Sequence, residues 1–449
     1  MLLSVLSGVT VIGVVIVGRE LRPLADDYCL AMWASDGLFD GIGTVFTTWA
    51  GDLVLVTSNI LLAGLPLAFL PWQVASLLPF MLGATSVAFA TWALLGALGA
   101  FGVRLRTGLL LIPTVMVVWW SYWWIPVRFP DAVNPLDAVV DLELAASVTF
   151  WQNINTAYVI PLSVWVMVCV LLWRRVDRPL GAGVVLWAVA GVAMGLSGPV
   201  LALTFMAVLV LLGVVLAALR SLTRRRAVRG ATLLMGTLGG VIITALSPGT
   251  RIRSTFLVDT PYSTMNGLPD LAVWTVQGTA RAWWGMLVGW PSVFVFLAAV
   301  LLGLLLGPND RMAARRLGIT GGSLLLLALI LQAASVAAEA FSYPAFWHVI
   351  APGLVMFWAL FCLGWGAANA LAGRAAATWS AAVGAAVVLL VGAGLAVTDM
   401  GVRIADRYDA WAQGPAPVGW VPDTNAGWVA DCEREFGFRR EQPDRGTGG

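Results

Sequence analysis

The chain has no lysine, a single histidine and four cysteines in 449 residues, and only 11% of its residues are charged. A soluble globular domain carries about a quarter charged residues to wet its surface. The shortage of charge therefore excludes a soluble enzyme and a nucleic-acid module. Four cysteines without a CxxC pair or a Cys/His cluster exclude a disulfide scaffold and a zinc site. What is abundant is apolar: 60% of the residues are hydrophobic, with 48 Gly and 22 Pro, both commoner in membrane helices than in soluble ones. These proportions imply an all-α polytopic membrane protein.

A span needs about 20 mostly apolar residues. Stretches that qualify are 2–18, 76–101, 107–125, 156–173, 180–197, 200–219, 230–247, 284–306, 318–337, 349–370 and 376–397. No basic stretch precedes the first and no small-residue cleavage site follows it, so it reads as a retained span and not a signal peptide. A further apolar stretch, 53–70, is interrupted by Asn59 and Pro66.

Arginine sets the orientation. Five short turns are basic: Arg104/Arg106, Arg174/Arg175/Arg178, Arg220/Arg224/Arg225/Arg226/Arg229, Arg311/Arg315/Arg316, and Arg374, with only Asp177 and Asp310 among them. Two spans separate each from the next, so all five share a side, and basic loops stay in the cytoplasm. If 53–70 crossed the membrane, Arg104 would fall on the wrong side. It is therefore expected along the outer interface or as a broken half-helix, leaving eleven spans with the N-terminus inside. Residues 1–397 then form a transmembrane domain with a first outer loop at 19–75, and 398–449 an outer tail.

The outer segments hold nearly all the acidic groups, so chemistry is expected there. Asp26 and Asp27 stand side by side just beyond the first span, followed by Tyr28 and Cys29. Paired carboxylates repel unless a cation or hydrogen-bond donors offset them, and one could serve as a general base or a metal ligand. A solvated loop neutralised by Arg19 and Arg22 is the plainer alternative. Leu38 to Asp52 is expected to form an interfacial helix ending in Trp49-Ala50-Gly51-Asp52. Phe150 to Tyr158, including Trp151 and Asn155, precedes the fourth span. Ser197-Gly198-Pro199 makes an outer turn, and Ser247-Pro248-Gly249-Thr250-Arg251 follows the seventh span.

This order of elements resembles the GT-C glycosyltransferases, membrane enzymes that take sugars from polyprenyl-phosphate donors, and among them a bacterial branch related to the O-antigen glucosyltransferases. That branch carries an Asp-Asp-aromatic element, a Trp-x-Gly-Arg element, an aromatic-Asn-Tyr element and a Pro-Gly-Asn-x-x-Arg element. The matching stretches are Asp26-Asp27-Tyr28, Trp49 to Asp52, Phe150 to Tyr158 and Pro248 to Arg253, within residues 1–260. Asp52 stands where the family has Arg, and Thr250 where it has Asn. The resemblance implies a GT-C-like fold in a bacterial cytoplasmic membrane. It also implies transfer from a polyprenyl-phosphate sugar to a cell-envelope glycan or glycolipid on the outer face.

In that reading Asp26 and Asp27 are the catalytic pair, with Mg or Mn on one of them if a metal takes part. Arg251 and Arg253 would hold the donor phosphate, as a guanidinium fork suits phosphate, and His348 at an outer span entrance could assist. Tyr28, Trp151, Asn155, Tyr158 and Trp284 are the candidate substrate-binding residues. The other Trp residues, including Trp119 to Trp124, are expected in the interfacial aromatic belts. Membrane lipids are expected partners and nucleic acid is not. Rival readings are an envelope acyltransferase with His348 as base and a lipid or glycan transporter. The tail, with Trp411, Trp420 and Trp428, is expected to fold back over the outer loops. Cys29 and Cys432, both on the oxidising side, could be bridged there; two unpaired thiols are the alternative.

The topology is checked by fusing a compartment-specific reporter after Gly449. Activity only outside the cytoplasm is expected; activity only inside it would reverse the assignment.

Overall fold

The computed structural model describes residues 8, 11–12, 15, 26–48, 51–101, 105–124, 155–174, 183–218, 222–255, 262, 265–288, 290–307, 310–340 and 350–371. The expected span 376–397, most of 2–18 and the tail 398–449 lie outside them. The described residues are helical, without a strand among them. Such long apolar stretches can satisfy their backbone only internally, and a helix does so within one segment. Four of the described helices are long and apolar enough to cross a membrane: Val74–Ala97, Arg224–Leu246, Arg311–Ala337 and Ile350–Ala370. Large aliphatic side chains such as Leu186, Val189, Met235, Ile242 and Leu326 are exposed along the helices. A soluble protein avoids apolar surface on that scale.

The helices, in chain order, are α1 (Asp26–Ser35), α2 (Leu38–Thr48), α3 (Leu53–Phe69), α4 (Trp72–Ala97), α5 (Leu105–Trp124), α6 (Ile160–Arg174), α7 (Gly183–Gly195) and α8 (Pro199–Ala218). They continue with α9 (Arg224–Leu246), α10 (Pro248–Thr255), α11 (Leu268–Val288), α12 (Trp290–Leu306), α13 (Arg311–Glu339) and α14 (Ile350–Leu371).

Glycine determines how closely several of them pack. Gly191 and Gly195 on α7 face Gly236 and Gly240 on α9, and a Cβ on any of the four would run into the opposite backbone. Small residues spaced by four let helix backbones touch where lipid leaves no hydrophobic drive to associate. Since 191 meets 236 and 195 meets 240, α7 and α9 run parallel, as they must if α8 returns the chain between them. The α12–α14 pair is also parallel: Ser292 Oγ lies 3.9 Å from Met356 Sδ, Gly364 abuts Phe296, and Gly307 abuts Asn369. α13 is antiparallel to α14, with Gly321 against Ala359 and Gly366 against Leu317. These directions agree with the alternation deduced from the basic turns. Two of those turns also meet in space, because Gly99, past the end of α4, lies beside the guanidinium of Arg316. At the same end Arg229 is buried with its guanidinium 5.5 Å from the Trp187 ring centroid, a cation–π contact. This is the basic end of the bundle.

Two expectations need correction. The stretch read as one span at 284–306 is described as the end of α11, to Val288, and α12, from Trp290, and α11 begins well before it at Leu268. Asp270, Gln277 and Arg281 made the first part look like loop, yet they leave an amphipathic helix with one buried stripe. Trp119 and Trp120 of the run on α5 are not in an interfacial belt either. Trp119, Trp120 and Tyr122 are buried; Trp120 stacks on Phe80 at 4.9 Å and Trp119 meets Phe357 edge to face. α5 lies between α4 and α12, so its aromatics fill the core. Other indoles are tied there too: Trp358 donates to Thr91 Oγ1 at 3.2 Å and Trp365 to the Ala100 carbonyl at 3.3 Å.

The glycine contact gives a direct test. Gly195→Leu or Gly240→Leu should cost about 1–3 kcal/mol by overpacking and lower the melting temperature in detergent. Gly239→Ala, which meets open space, should change it little. Equal melting temperatures for all three variants would remove the close packing.

Candidate functional site

At the end away from the basic turns, several of the elements singled out in the sequence come together: Gly51-Asp52, the Asn155–Val159 turn, Ser197-Gly198 and Ser247 to Thr250. Asp26, Asp27 and Tyr28 form the first turn of α1, where the helix N-terminus favours negative charge. α1 turns into α2 through Asp36-Gly37. Gly37 has φ 123°, and the Gly41 N–H donates to its carbonyl at 2.8 Å. Of the stretch 38–52, expected to be a helix, Leu38–Thr48 is helical as α2. Cys29, Leu30, Trp33 and Ala34 of α1 share a small core with Val45, Val56, Ile60 and Ala63. Gly64 lets α3 approach the Leu30 carbonyl.

α3 is the segment whose crossing was in question. Its described contacts are with the far end: the Val54 N–H donates to the Leu196 carbonyl at 2.9 Å, and Ser58 Oγ donates to the Thr156 carbonyl at 2.9 Å. It is also irregular, with a π-turn at Ile60–Gly64. A second π-turn, Asn155–Val159, leads into α6. Both have the same local cause. Each ends two residues before a proline, Pro66 or Pro161, whose ring clashes with the carbonyl four residues back and which has no N–H to offer it. Widening the turn relieves the clash and leaves carbonyls needing other donors. The two π-turns are joined directly, with Thr156 Oγ1 donating to Asn59 Oδ1 at 2.6 Å in a fully buried pair. π-turns of this kind are frequent at functional sites.

A glycine corner completes the arrangement. Gly51 is pressed against Ser247, Thr250 and the Thr244 carbonyl, so closely that a Cβ would collide with them. Ser247 Oγ accepts the Thr250 N–H at 3.2 Å and lies 2.9 Å from Thr250 Oγ1, capping α10 in the usual N-terminal manner. Thr250, at the position where the resembled family has Asn, thus closes its own turn beneath Gly51. Gly198, with φ 101°, brings the α7–α8 turn beside the Asp52 carboxylate; a Cβ there would be 3.6 Å from Asp52 Oδ2. A side chain on Gly198 would be strained by φ alone. Trp165 Nε1 donates to Ser197 Oγ at 3.3 Å, tying α6 to the same turn.

The expected ligand-binding residues fall into three groups. Arg251 is exposed on α10, which packs on α2, so it stands over the first loop. Arg253 is two residues along the same helix. Asn155 is buried against Gly83 and Tyr158 is half-buried against the main core. Trp151 and His348 lie outside the described residues. The side chains of Asp26, Asp27, Tyr28, Arg253 and Trp284 do as well, although their helices are described. Among the described residues no three His, Cys, Asp or Glu group to hold a metal, so a metal stays an expectation attached to Asp26 or Asp27. Sequence reasoning missed the Asn59–Thr156 pair and the close-packed glycines. The prolines after each π-turn were the signal that could have found the former.

Cys29 is disulfide-bonded and buried, while Cys169 and Cys362 are free. Cys432, the remaining cysteine in the sequence, lies outside the described residues, as does the tail expected to cover this end. In denatured, unreduced protein, a thiol-reactive polyethylene glycol should therefore label Cys169 and Cys362 and reach Cys29 only after reduction. Labelling of Cys29 without reductant would refute the bridge.

No family model matches the chain, and no curated protein or solved structure matches it significantly.

Proposed function

We propose that this protein is a membrane glycosyltransferase that moves a sugar from a polyprenyl-phosphate donor to a cell-envelope glycan or glycolipid. One observation supports the reading above the others. Four short elements scattered between residues 51 and 250 meet at the end opposite the arginine turns: Gly51-Asp52, the Asn155–Val159 turn, Ser197-Gly198 and Ser247 to Thr250. Three of them overlap stretches on which the family resemblance rests, and chain order alone does not require them to meet.

In the proposed reaction Asp26 or Asp27 takes the proton of an acceptor hydroxyl. The oxygen attacks the anomeric carbon, and the bond from that carbon to the phosphate oxygen breaks. The phosphate leaves with the electron pair, its charge offset by Arg251 or Arg253 at headgroup level, with a divalent metal if one is bound. Asp26 and Asp27 belong to the first turn of α1, and a general base acts by being held close to the hydroxyl it serves. Asp52, beside Gly198, replaces the arginine of the resembled family. It removes a cation from that corner and leaves α10 to supply it. The rival acyl transfer would depend on His348 and not on the acidic pair.

Asp27→Asn should lower transfer from lipid-linked sugar in membranes by about 10²-fold or more, the usual scale for losing a general base. Amount and melting temperature should stay near wild type, and Asp26→Asn should be comparable or milder. Full transfer by the double variant, or dependence on His348 instead, would reject the proposed mechanism.

A further inference from the structure

From Arg178 to Val258 every charged residue in the sequence is an arginine. That stretch comprises α7, α8 and α9, so these three helices hold no carboxylate to set against the basic start of α9. Arg224, Arg225 and Arg226 form its first turn, and Arg229 follows one turn on. The cap is neutral: the Thr223 hydroxyl accepts the Arg226 N–H at 3.3 Å. The other arginine-rich helix start, that of α13, is built differently. There the Asp310 carboxylate accepts the Met312 N–H at 2.8 Å and brings an anion of its own.

Arg224 also heads an apolar stripe. Residues 224, 228, 235, 238, 242 and 246 recur at helical spacing on one face of α9, and Val228, Met235, Leu238, Ile242 and Leu246 are all exposed. The opposite face, through Arg229, Leu233, Thr237, Gly240 and Thr244, is buried. Arg224 and Arg225 are exposed above the stripe, while Arg229 is held against the Trp187 ring. By the register of Gly191 on Gly236, the exposed Val185, Leu186 and Val189 of α7 stand level with the same first turns of α9. At about 1.5 Å per residue, Met235 lies roughly 16 Å along the helix from Arg224. That is about half of a hydrocarbon core, the depth of one leaflet.

Exposed guanidinium groups above a leaflet-deep aliphatic stripe match the two ends of one molecule, a phospholipid with a net negative headgroup. Guanidinium suits a phosphate, and clustered arginines at a membrane surface attract anionic lipid. A zwitterionic headgroup brings its own cation to an all-arginine surface and gains less. A free phosphate would leave the stripe unused. We infer that the basic start of α9 is a docking site for an anionic phospholipid of the adjoining leaflet. Its phosphate lies on Arg224 and Arg225, with an acyl chain along Val228 and Met235. The inference rests on the membrane character of these helices and is independent of the proposed transfer.

The test titrates the full chain in detergent micelles with phosphatidylglycerol and with phosphatidylcholine of the same acyl chains. Each lipid carries a fluorophore excited by the protein's indoles. Wild type should bind phosphatidylglycerol at least about tenfold more tightly, and the preference should shrink as salt is raised. Arg224→Gln with Arg225→Gln should lose most of that preference, while the charge-keeping Arg224→Lys with Arg225→Lys should retain it. Arg311→Gln with Arg315→Gln, at the helix start that Asp310 caps, should retain it too. Soluble glycerol phosphate at millimolar concentration should not displace the lipid, because it has no chain for the stripe. Equal affinity of wild type for the two lipids, or a preference indifferent to salt, would overturn the inference whatever the variants do. So would a preference unchanged by the double glutamine substitution, or one lost equally from the α13 variant. Displacement by glycerol phosphate would assign the arginines to a soluble anion and reject the lipid.

Discussion

A backbone surrounded by apolar matter must bond its own N–H and C=O groups, and the rest of this structure depends on that requirement. It makes helices of every described segment and makes each departure from the helix expensive. The departures are few and are compensated locally. Where Pro66 and Pro161 widen a turn, Ser58 and Thr156 supply donors, and the Asn59–Thr156 bond holds the two irregular turns together. Where the chain reverses at Ser247, the hydroxyl caps the next helix. All of these compensations stand at one end of the bundle.

Glycine is the second organising element. Between α7 and α9 it allows backbone contact over a full turn and more, which orders two helices whose outward faces hold only aliphatic residues. At the far end the same residue type acts singly. Gly51 seats the start of α3 on the Ser247 corner, Gly64 seats its middle on α1, and Gly198 seats the α7–α8 turn beside Asp52. A side chain at any of these positions would push apart the elements that the proposed chemistry needs together.

Charge is divided between the ends. Arg316 of α13 lies beside Gly99 at the basic end, where Arg229 is held against Trp187. Asp52 lies at the other, beside Gly198, and the helix that carries Arg251 packs on α2. A donor phosphate approaching that end would meet cations on α10, which packs on α2, and not on the bundle's basic turns.

Composition and periodicity were enough to determine that the chain is helical and apolar, and most helix positions follow from the lengths of its apolar runs. The alternation of basic turns also determined the relative directions of α7 and α9, and of α12, α13 and α14, because each short loop reverses the chain. The irregularity of α3 was legible from its Asn59 and Pro66. Hydropathy could not reveal α11, because an amphipathic helix carrying Asp270 and Arg281 averages like a loop. Nor could it tell the buried Trp119 and Trp120 from belt residues, since burial depends on which helices surround α5. The approach of Gly51 to Ser247 and the pairing of Asn59 with Thr156 were likewise decided only by tertiary structure. Each depends on distances between segments about 100 to 200 residues apart, and no local pattern encodes such a distance.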